Sequence, residues 1–168
     1  TAYKPPFFHW CVAVASSVYG TVTEATSRIP SAVALIIMTM ATFVFFAKRK
    51  GNKIGIITAL TAFTSFELHR AGGTCRVDMV LTMLTVCAIY DLMRWYEHKM
   101  KGIPWIAIVL MGLGTMTKGP VGSIIPCMVM GIFMLMRKMN FFRAFFTLVA
   151  FGLLSLLIYG AWFYAAYR

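Results

Sequence analysis

Residues 31–47 read SAVALIIMTMATFVFFA, an apolar stretch with no charged side chain, and it is followed directly by Lys48, Arg49 and Lys50. This composition, ending in basic residues, is typical of a helix that crosses a bilayer and stops at the lipid headgroups. Outward from it, the sequence contains five more apolar stretches, at residues 54–66, 77–93, 103–117, 121–136 and 144–164. We predict a membrane-spanning helix at each of these six stretches.

The composition indicates the same class of protein. Of the 168 residues, 60% are hydrophobic and only 12% are charged, with a mean hydropathy of +0.79. A soluble domain of this size needs more charged residues to cover its surface. Residues 5–19 are predicted to form a short juxtamembrane helix that begins at Pro5 and Pro6. The predicted fold class is therefore an all-α, polytopic integral membrane helical bundle. Because both ends of the sequence look cut, we expect an internal piece of a longer protein.

The distribution of basic residues predicts the orientation. A net charge of +11 is compatible with nucleic-acid binding, but the basic residues lie between apolar stretches and form no basic face, so no nucleic-acid partner is predicted. Ten of the sixteen lie in every second loop: Lys48, Arg49, Lys50, Lys53, Arg94, Lys99, Lys101, Arg137, Lys138 and Arg143. This excess predicts that these three loops are cytoplasmic. The opposite side carries Lys4, Arg28, Arg70, Arg76, Lys118 and Arg168.

The cysteines give no sign of a metal or redox site. None of the four forms a CxxC pair, and three lie inside apolar stretches. Neither a disulfide framework nor a zinc site is predicted. The sequence predicts no cofactor and leaves a divalent metal ion open.

Three short motifs fall on the predicted extracytoplasmic side. They are Tyr3-Lys4-Pro5-Pro6, Arg76-Val77-Asp78 and Thr117-Lys118-Gly119-Pro120. Together they offer cations for a phosphate and a carboxylate for a hydroxyl. Three pairs of opposite charge lie at helical spacing along the chain and predict side-chain ion pairs. The pairs are Glu24–Arg28, Glu67–Arg70 and Asp91–Arg94, and His69 is expected in a loop.

Each of the three motifs also has a purely structural explanation. Lys4 can flank a helix at the membrane interface. Asp78 lies in the first turn of a predicted helix, where a carboxylate complements the helix dipole. Lys118 precedes Gly119 and Pro120, which is the usual sequence of a helix C-terminus.

Taken in order, the motifs resemble the PMT-like glycosyltransferases of the GT-C class. That group includes protein O-mannosyltransferases and the bacterial aminoarabinose transferases that modify lipid A. The resemblance covers nearly the whole chain. It is carried by residues 3–10, Gly20, residues 27–32, residues 76–79, residues 112–114 and residues 117–120.

The resemblance implies a membrane enzyme that moves a sugar from a polyprenyl-phosphate donor to a lipid A-like, glycan or protein acceptor. Transfer is expected on the extracytoplasmic face, with inversion at the anomeric carbon. The implied location is the bacterial inner membrane, with several spans. In such enzymes the leading catalytic carboxylate precedes the Lys-Pro-Pro motif. It is therefore expected upstream of Thr1, and the fragment alone is expected to be inactive.

Within this chain, the resemblance and the residue chemistry assign roles to four side chains. Asp78 is the catalytic candidate, which orients the sugar or the acceptor or supports the general base. Lys4, Arg76 and Lys118 are the candidates for binding the donor phosphate. Fixed cations at a site of low dielectric constant stabilise the charge that develops on a leaving phosphate.

The main alternative is a fragment of a transporter or flippase. That function predicts charged residues near the bilayer midplane or paired broken helices. The charges in this sequence lie at the ends of the apolar stretches, which favours the enzyme. A structural membrane subunit is the second alternative, and it leaves the three motifs unexplained.

Overall fold

The computed structural model describes residues 5–167, and every regular element in that range is an α-helix. In chain order the helices are α1 (Phe7–Tyr19), α2 (Glu24–Lys50), α3 (Asn52–Thr64), α4 (Phe66–Gly72), α5 (Val77–Glu97), α6 (Trp105–Lys118), α7 (Val121–Met136) and α8 (Phe141–Tyr167). The predicted all-α fold is confirmed. These helices form two compact units, each described by itself. The first includes Pro6–Met83 and the second begins at Leu84.

Helix α2 is the longest element of the first unit and begins at a reciprocal cap. The Thr26 backbone N–H donates to Thr23 Oγ1 at 3.2 Å, and the Thr23 N–H donates to Thr26 Oγ1 at 2.9 Å. This arrangement satisfies donors that a helix N-terminus otherwise leaves free. The basic residues Lys48, Arg49 and Lys50 form its last turn, where cations complement the helix dipole.

Two helices of the described chain are long and apolar enough to cross a membrane. They are α2 and, in the second unit, residues Phe141–Ala165 of α8. Helices α1, α6 and α7 are apolar but shorter. The exposed residues of α2 are themselves apolar over several turns: Val33, Ile36, Ile37, Met40 and Val44. A helix that presents a continuous apolar face outward is suited to lipid rather than to water.

The chain around the predicted span at 54–66 differs from the expectation. Helix α3 ends at Thr64, and Ser65 leaves the helical conformation with φ −58° and ψ 123°. The short helix α4 then follows, and it contains His69. The segment around His69, expected as a loop, is therefore helical, because the chain resumes a helix immediately after one extended residue.

Two of the three predicted ion pairs are confirmed, both in the first unit. Arg28 pairs with Glu24 in the first turn of α2, and Arg70 Nε donates to Glu67 Oε2 at 3.0 Å in α4. All four side chains are largely exposed, so each pair contributes little to stability.

The second unit has a continuous apolar core. Its buried members are Ala88, Leu92, Trp95, Ala107, Ile108, Met111, Met130, Met134, Ala144, Leu148 and Phe151. Polar contacts fix the entry to α6. Asp91 Oδ2 accepts from the backbone N–H of Ala107 at 3.1 Å, and Trp95 Nε1 donates to the carbonyl of Gly102 at 2.8 Å. Asp91, predicted to pair with Arg94, is instead a cap for the first turn of α6.

Candidate functional site

The motif Arg76-Val77-Asp78 forms the start of α5 in the first unit. Arg76 is the residue just before the helix and is half-buried, whereas Asp78 lies in the first turn and is exposed. The backbone of Arg76 is held from α2, because the buried Ser31 hydroxyl hydrogen-bonds to both its N–H and its carbonyl. A cation and a carboxylate are thus presented two residues apart at a helix N-terminus, where the helix dipole favours anions.

The ion pair of α4 lies within the electrostatic influence of this motif. The hydrogen bond from Arg70 holds the pKa of the Glu67 carboxyl below its ordinary value, and the positive charge of Arg76 acts in the same direction. Glu67 is therefore ionised at neutral pH. Arg70 and Arg76 thus both act on Glu67 in the first unit, and Asp78 lies two positions after Arg76 in the first turn of α5.

Lys118 is the last residue of α6, in the second unit. It is exposed, and the following Gly119 adopts φ +81°, with its N–H donating to the Thr115 carbonyl at 2.8 Å. Pro120 then starts the next helix. This geometry is that of an ordinary helix C-terminus, which also leaves the ammonium group at the surface of the turn.

Of the predicted site residues, Arg76 and Asp78 lie two positions apart at the start of α5 in the first unit. Lys118 lies in the second unit, also at a helix end. Lys4 lies outside the described residues. Among residues 5–167, no three His, Cys, Asp or Glu side chains come close enough together to hold a metal ion.

A buried chain of hydroxyl groups supports the turn that carries Lys118, and sequence reasoning missed it. Ser123 Oγ lies 2.7 Å from Thr115 Oγ1 and 2.7 Å from Ser155 Oγ, so α6, α7 and α8 share one polar contact. All three side chains are buried. The available signal was the presence of hydroxyl residues inside apolar stretches, where they usually bond between helices.

Where α6 and α7 meet, their two backbones are also in close contact. A Cβ atom built on Gly122 would lie 2.2 Å from the carbonyl carbon of Gly114 and 2.4 Å from the Thr115 nitrogen. No side chain fits in that space, so α6 and α7 touch through their main chains. The residues on either side of the Lys118 turn are therefore fixed both by hydrogen bonds and by direct packing.

Comparison with known proteins gives three findings. A family model described as dolichyl-phosphate-mannose-protein mannosyltransferase matches residues 3–164. An uncharacterized protein from Aquifex aeolicus (strain VF5) is 23% identical over 135 residues, which is 80% of this chain and 27% of that protein. The crystal structure of ArnT from Cupriavidus metallidurans in the apo state matches 96% of this chain and 31% of its own, with a TM-score of 0.80 and 20% sequence identity. The chain thus spans about a quarter to a third of the length of these relatives.

Proposed function

The chain belongs to the dolichyl-phosphate-mannose-protein mannosyltransferase family, whose model matches residues 3–164, and from this membership we propose that it is part of the membrane core of a glycosyltransferase. The donor in this proposal is a sugar linked to a polyprenyl phosphate, and the acceptor is a lipid A-like molecule, a glycan or a protein. Its fold is that of a GT-C membrane helical bundle, as the match to ArnT over 96% of the chain shows.

The observation that carries the proposal is the continuity of the family match, which runs through all three motifs. The geometry at α5 supports it. Arg76 is fixed through its backbone, and Asp78 is exposed in the first turn of the same helix.

The proposed chemistry follows from the charge that moves during transfer. When the glycosidic bond breaks, the departing phosphate gains negative charge, and cations already in place stabilise it without reorganisation. We assign this role to Arg76, Lys118 and Lys4. Asp78 orients the sugar or the acceptor, or supports a general base located elsewhere in the longer protein.

The proposed site faces the extracytoplasmic side of a bacterial inner membrane, and the chain crosses that membrane several times. The support for this orientation is the concentration of basic residues in alternate connections. These are the α2–α3, α5–α6 and α7–α8 connections.

The orientation predicts which positions react with a membrane-impermeant thiol reagent. In the full-length protein lacking Cys75, Gly73→Cys is expected to be labelled in intact cells. Lys50→Cys, Lys101→Cys and Asn140→Cys are expected to be labelled only after permeabilisation. The opposite labelling pattern would place the proposed site in the cytoplasm and contradict this orientation.

The donor-binding role predicts the effect of removing one cation. In the full-length enzyme, Arg76→Gln is expected to lower kcat/KM for the polyprenyl-phosphate donor about 10- to 30-fold, because one charge-assisted phosphate contact is lost. Transfer is measured with labelled donor and acceptor. Arg143→Gln removes the same charge from the predicted cytoplasmic side and is the matched control, expected to leave kcat/KM unchanged.

The transfer assay, together with a measurement of donor movement across a bilayer, separates the enzyme from the transporter alternative. Sugar that appears covalently on the acceptor supports the proposed transferase. Donor that crosses the bilayer of a proteoliposome without any transfer would instead identify a flippase. An unchanged kcat/KM for Arg76→Gln would remove Arg76 from the donor site.

A further inference from the structure

We propose that Ser31 is a positioning residue for Arg76, and that it fixes the direction in which α5 presents its first turn to the ligand. The inference rests on the proposed function, because it concerns the direction of the Arg76 side chain, which is assigned to donor binding. Ser31 touches neither donor nor acceptor in this proposal. It acts only through the backbone of Arg76.

The Ser31–Arg76 link consists of two hydrogen bonds from one side chain. Ser31 Oγ accepts from the Arg76 N–H at 3.2 Å and donates to the Arg76 carbonyl at 3.1 Å. The two residues are 45 positions apart in sequence, and Ser31 is completely buried. A hydroxyl bonded to both the N–H and the C=O of one residue fixes both of its peptide planes, and therefore the direction of its Cα–Cβ bond.

The position of Arg76 makes this restraint consequential. Its N–H also lies 2.9 Å from the Thr74 carbonyl, and its own carbonyl accepts the first helical bond from Met79 at 3.4 Å. Arg76 is therefore the boundary between an irregular segment and α5. A rotation of its peptide planes would redirect the guanidinium group and, two residues later, the carboxyl group of Asp78.

A second contact holds the other end of the same irregular segment. Leu35, one turn after Ser31 on α2, packs against Gly72 at the end of α4. A Cβ on Gly72 would lie 2.6 Å from Leu35 Cδ2, so the fit leaves no room for a side chain. One face of α2 thus fixes the chain both before and after residues 73–75, and this leaves the segment little freedom to move.

The bonding of Ser31 differs from that of another hydroxyl on α2. Thr39 donates to the Leu35 carbonyl at 2.8 Å, within its own helix. That bond is local and orients nothing outside α2. Ser31 instead uses both its donor and its acceptor to bond the backbone of Arg76, just before α5. Thr39 is therefore the matched control, because its replacement removes a hydroxyl from α2 and leaves the Ser31–Arg76 link intact.

The test is a double-mutant cycle in the full-length enzyme. Ser31→Ala is expected to lower kcat/KM for the donor about 10-fold, the scale of a small misplacement of a binding group, while Thr39→Val leaves it unchanged. In an Arg76→Gln background, Ser31→Ala is expected to lower kcat/KM less than about 2-fold further, because the group that it positions is already gone. A loss of about 10-fold in both backgrounds would show that Ser31 does not act through Arg76, and would overturn the proposal.

A second measurement does not depend on catalysis. The Arg76 N–H donates to Ser31 Oγ, so hydrogen–deuterium exchange of the peptide that contains residues 73–78, followed by mass spectrometry, reports on the link. Ser31→Ala is expected to speed exchange in this peptide about 3- to 10-fold relative to Thr39→Val, since a buried hydrogen-bond pair is lost. Equal exchange rates in the two variants would overturn the link itself. Faster exchange in a protein that transfers no sugar would uphold the link and place the failure in the proposed function.

Discussion

Replacing Asp78 with Asn in the full-length enzyme is expected to lower sugar transfer about a hundredfold or more, the scale of a lost acid–base or orienting carboxylate. The substitution removes the charge and leaves the shape nearly the same. Asn is also accepted at helix N-termini, so the loss of stability should be only about 0.3–1 kcal/mol. The measurement is turnover with a polyprenyl-phosphate donor, with folded yield and thermal stability measured in parallel.

Asp91→Asn is the matched control for this experiment. Asp91 lies on the same helix, but its carboxylate accepts from the Ala107 N–H at the start of α6. Its replacement is expected to reduce stability and to leave turnover per folded molecule close to wild type. Near-normal transfer by Asp78→Asn would assign Asp78 to the helix dipole alone. Arg76, Lys118 and Lys4 would then remain as the site candidates in this chain.

Replacing Gly122 with Ala is expected to lower the free energy of unfolding by about 2–3 kcal/mol, the usual cost of forcing extra volume into a packed interior. The added Cβ would overlap the backbone of α6 at Gly114, and a backbone cannot rotate away as a side chain can. The loss should appear even though Ala favours a helix over Gly by about 1 kcal/mol. Thermal unfolding in detergent and the yield of folded protein are the measurements.

Gly152→Ala provides the comparison within the second unit. A Cβ there would lie 3.9 Å from Cys127 Sγ, an ordinary contact distance. This variant is expected to be as stable as wild type or slightly more stable, because it gains helix propensity without a clash. Equal unfolding midpoints for Gly122→Ala and Gly152→Ala would contradict the close approach of α6 and α7.

The sequence predicts the helical fold well because the relevant signals are local. Helix α7 begins and ends at the predicted residues, since Pro120 and Arg137 bracket a stretch that is mainly apolar and has no charged side chain. The ion pairs at Glu24 and Glu67 follow from spacing within one helix turn. The break at Ser65 has no comparable signal, because serine is accepted both within helices and between them.

The parts of the site that depend on contacts between helices are not predictable in this way. The partner of Ser31 lies 45 residues away, and nothing in the local pattern of α2 indicates it. The same holds for Asp91, whose nearest basic neighbour in sequence suggested an ion pair although its partner is a backbone N–H of α6. Periodicity identifies which face of a helix is apolar. It does not identify what that face touches.

The three buried hydroxyl groups shared by α6, α7 and α8 have fewer hydrogen atoms than the number of short contacts that they make. Thr115, Ser123 and Ser155 supply three hydroxyl hydrogens, whereas four contacts of 2.7–2.9 Å join them to one another and to the carbonyls of Met111 and Gly152. One of these contacts therefore holds no hydrogen, and the Ser123 hydroxyl has two alternative acceptors at 2.7 Å, Thr115 Oγ1 and Ser155 Oγ.

Deleting any one of the three hydroxyls removes one proton and two of the four contacts, so the two remaining protons match the two remaining contacts. Loss of Ser123, for example, leaves Thr115 bonded to Met111 and Ser155 bonded to Gly152. The three buried hydroxyls can therefore accept the loss of an oxygen more readily than Gly122 can accept an added carbon, because a Cβ there would meet the backbone of Gly114.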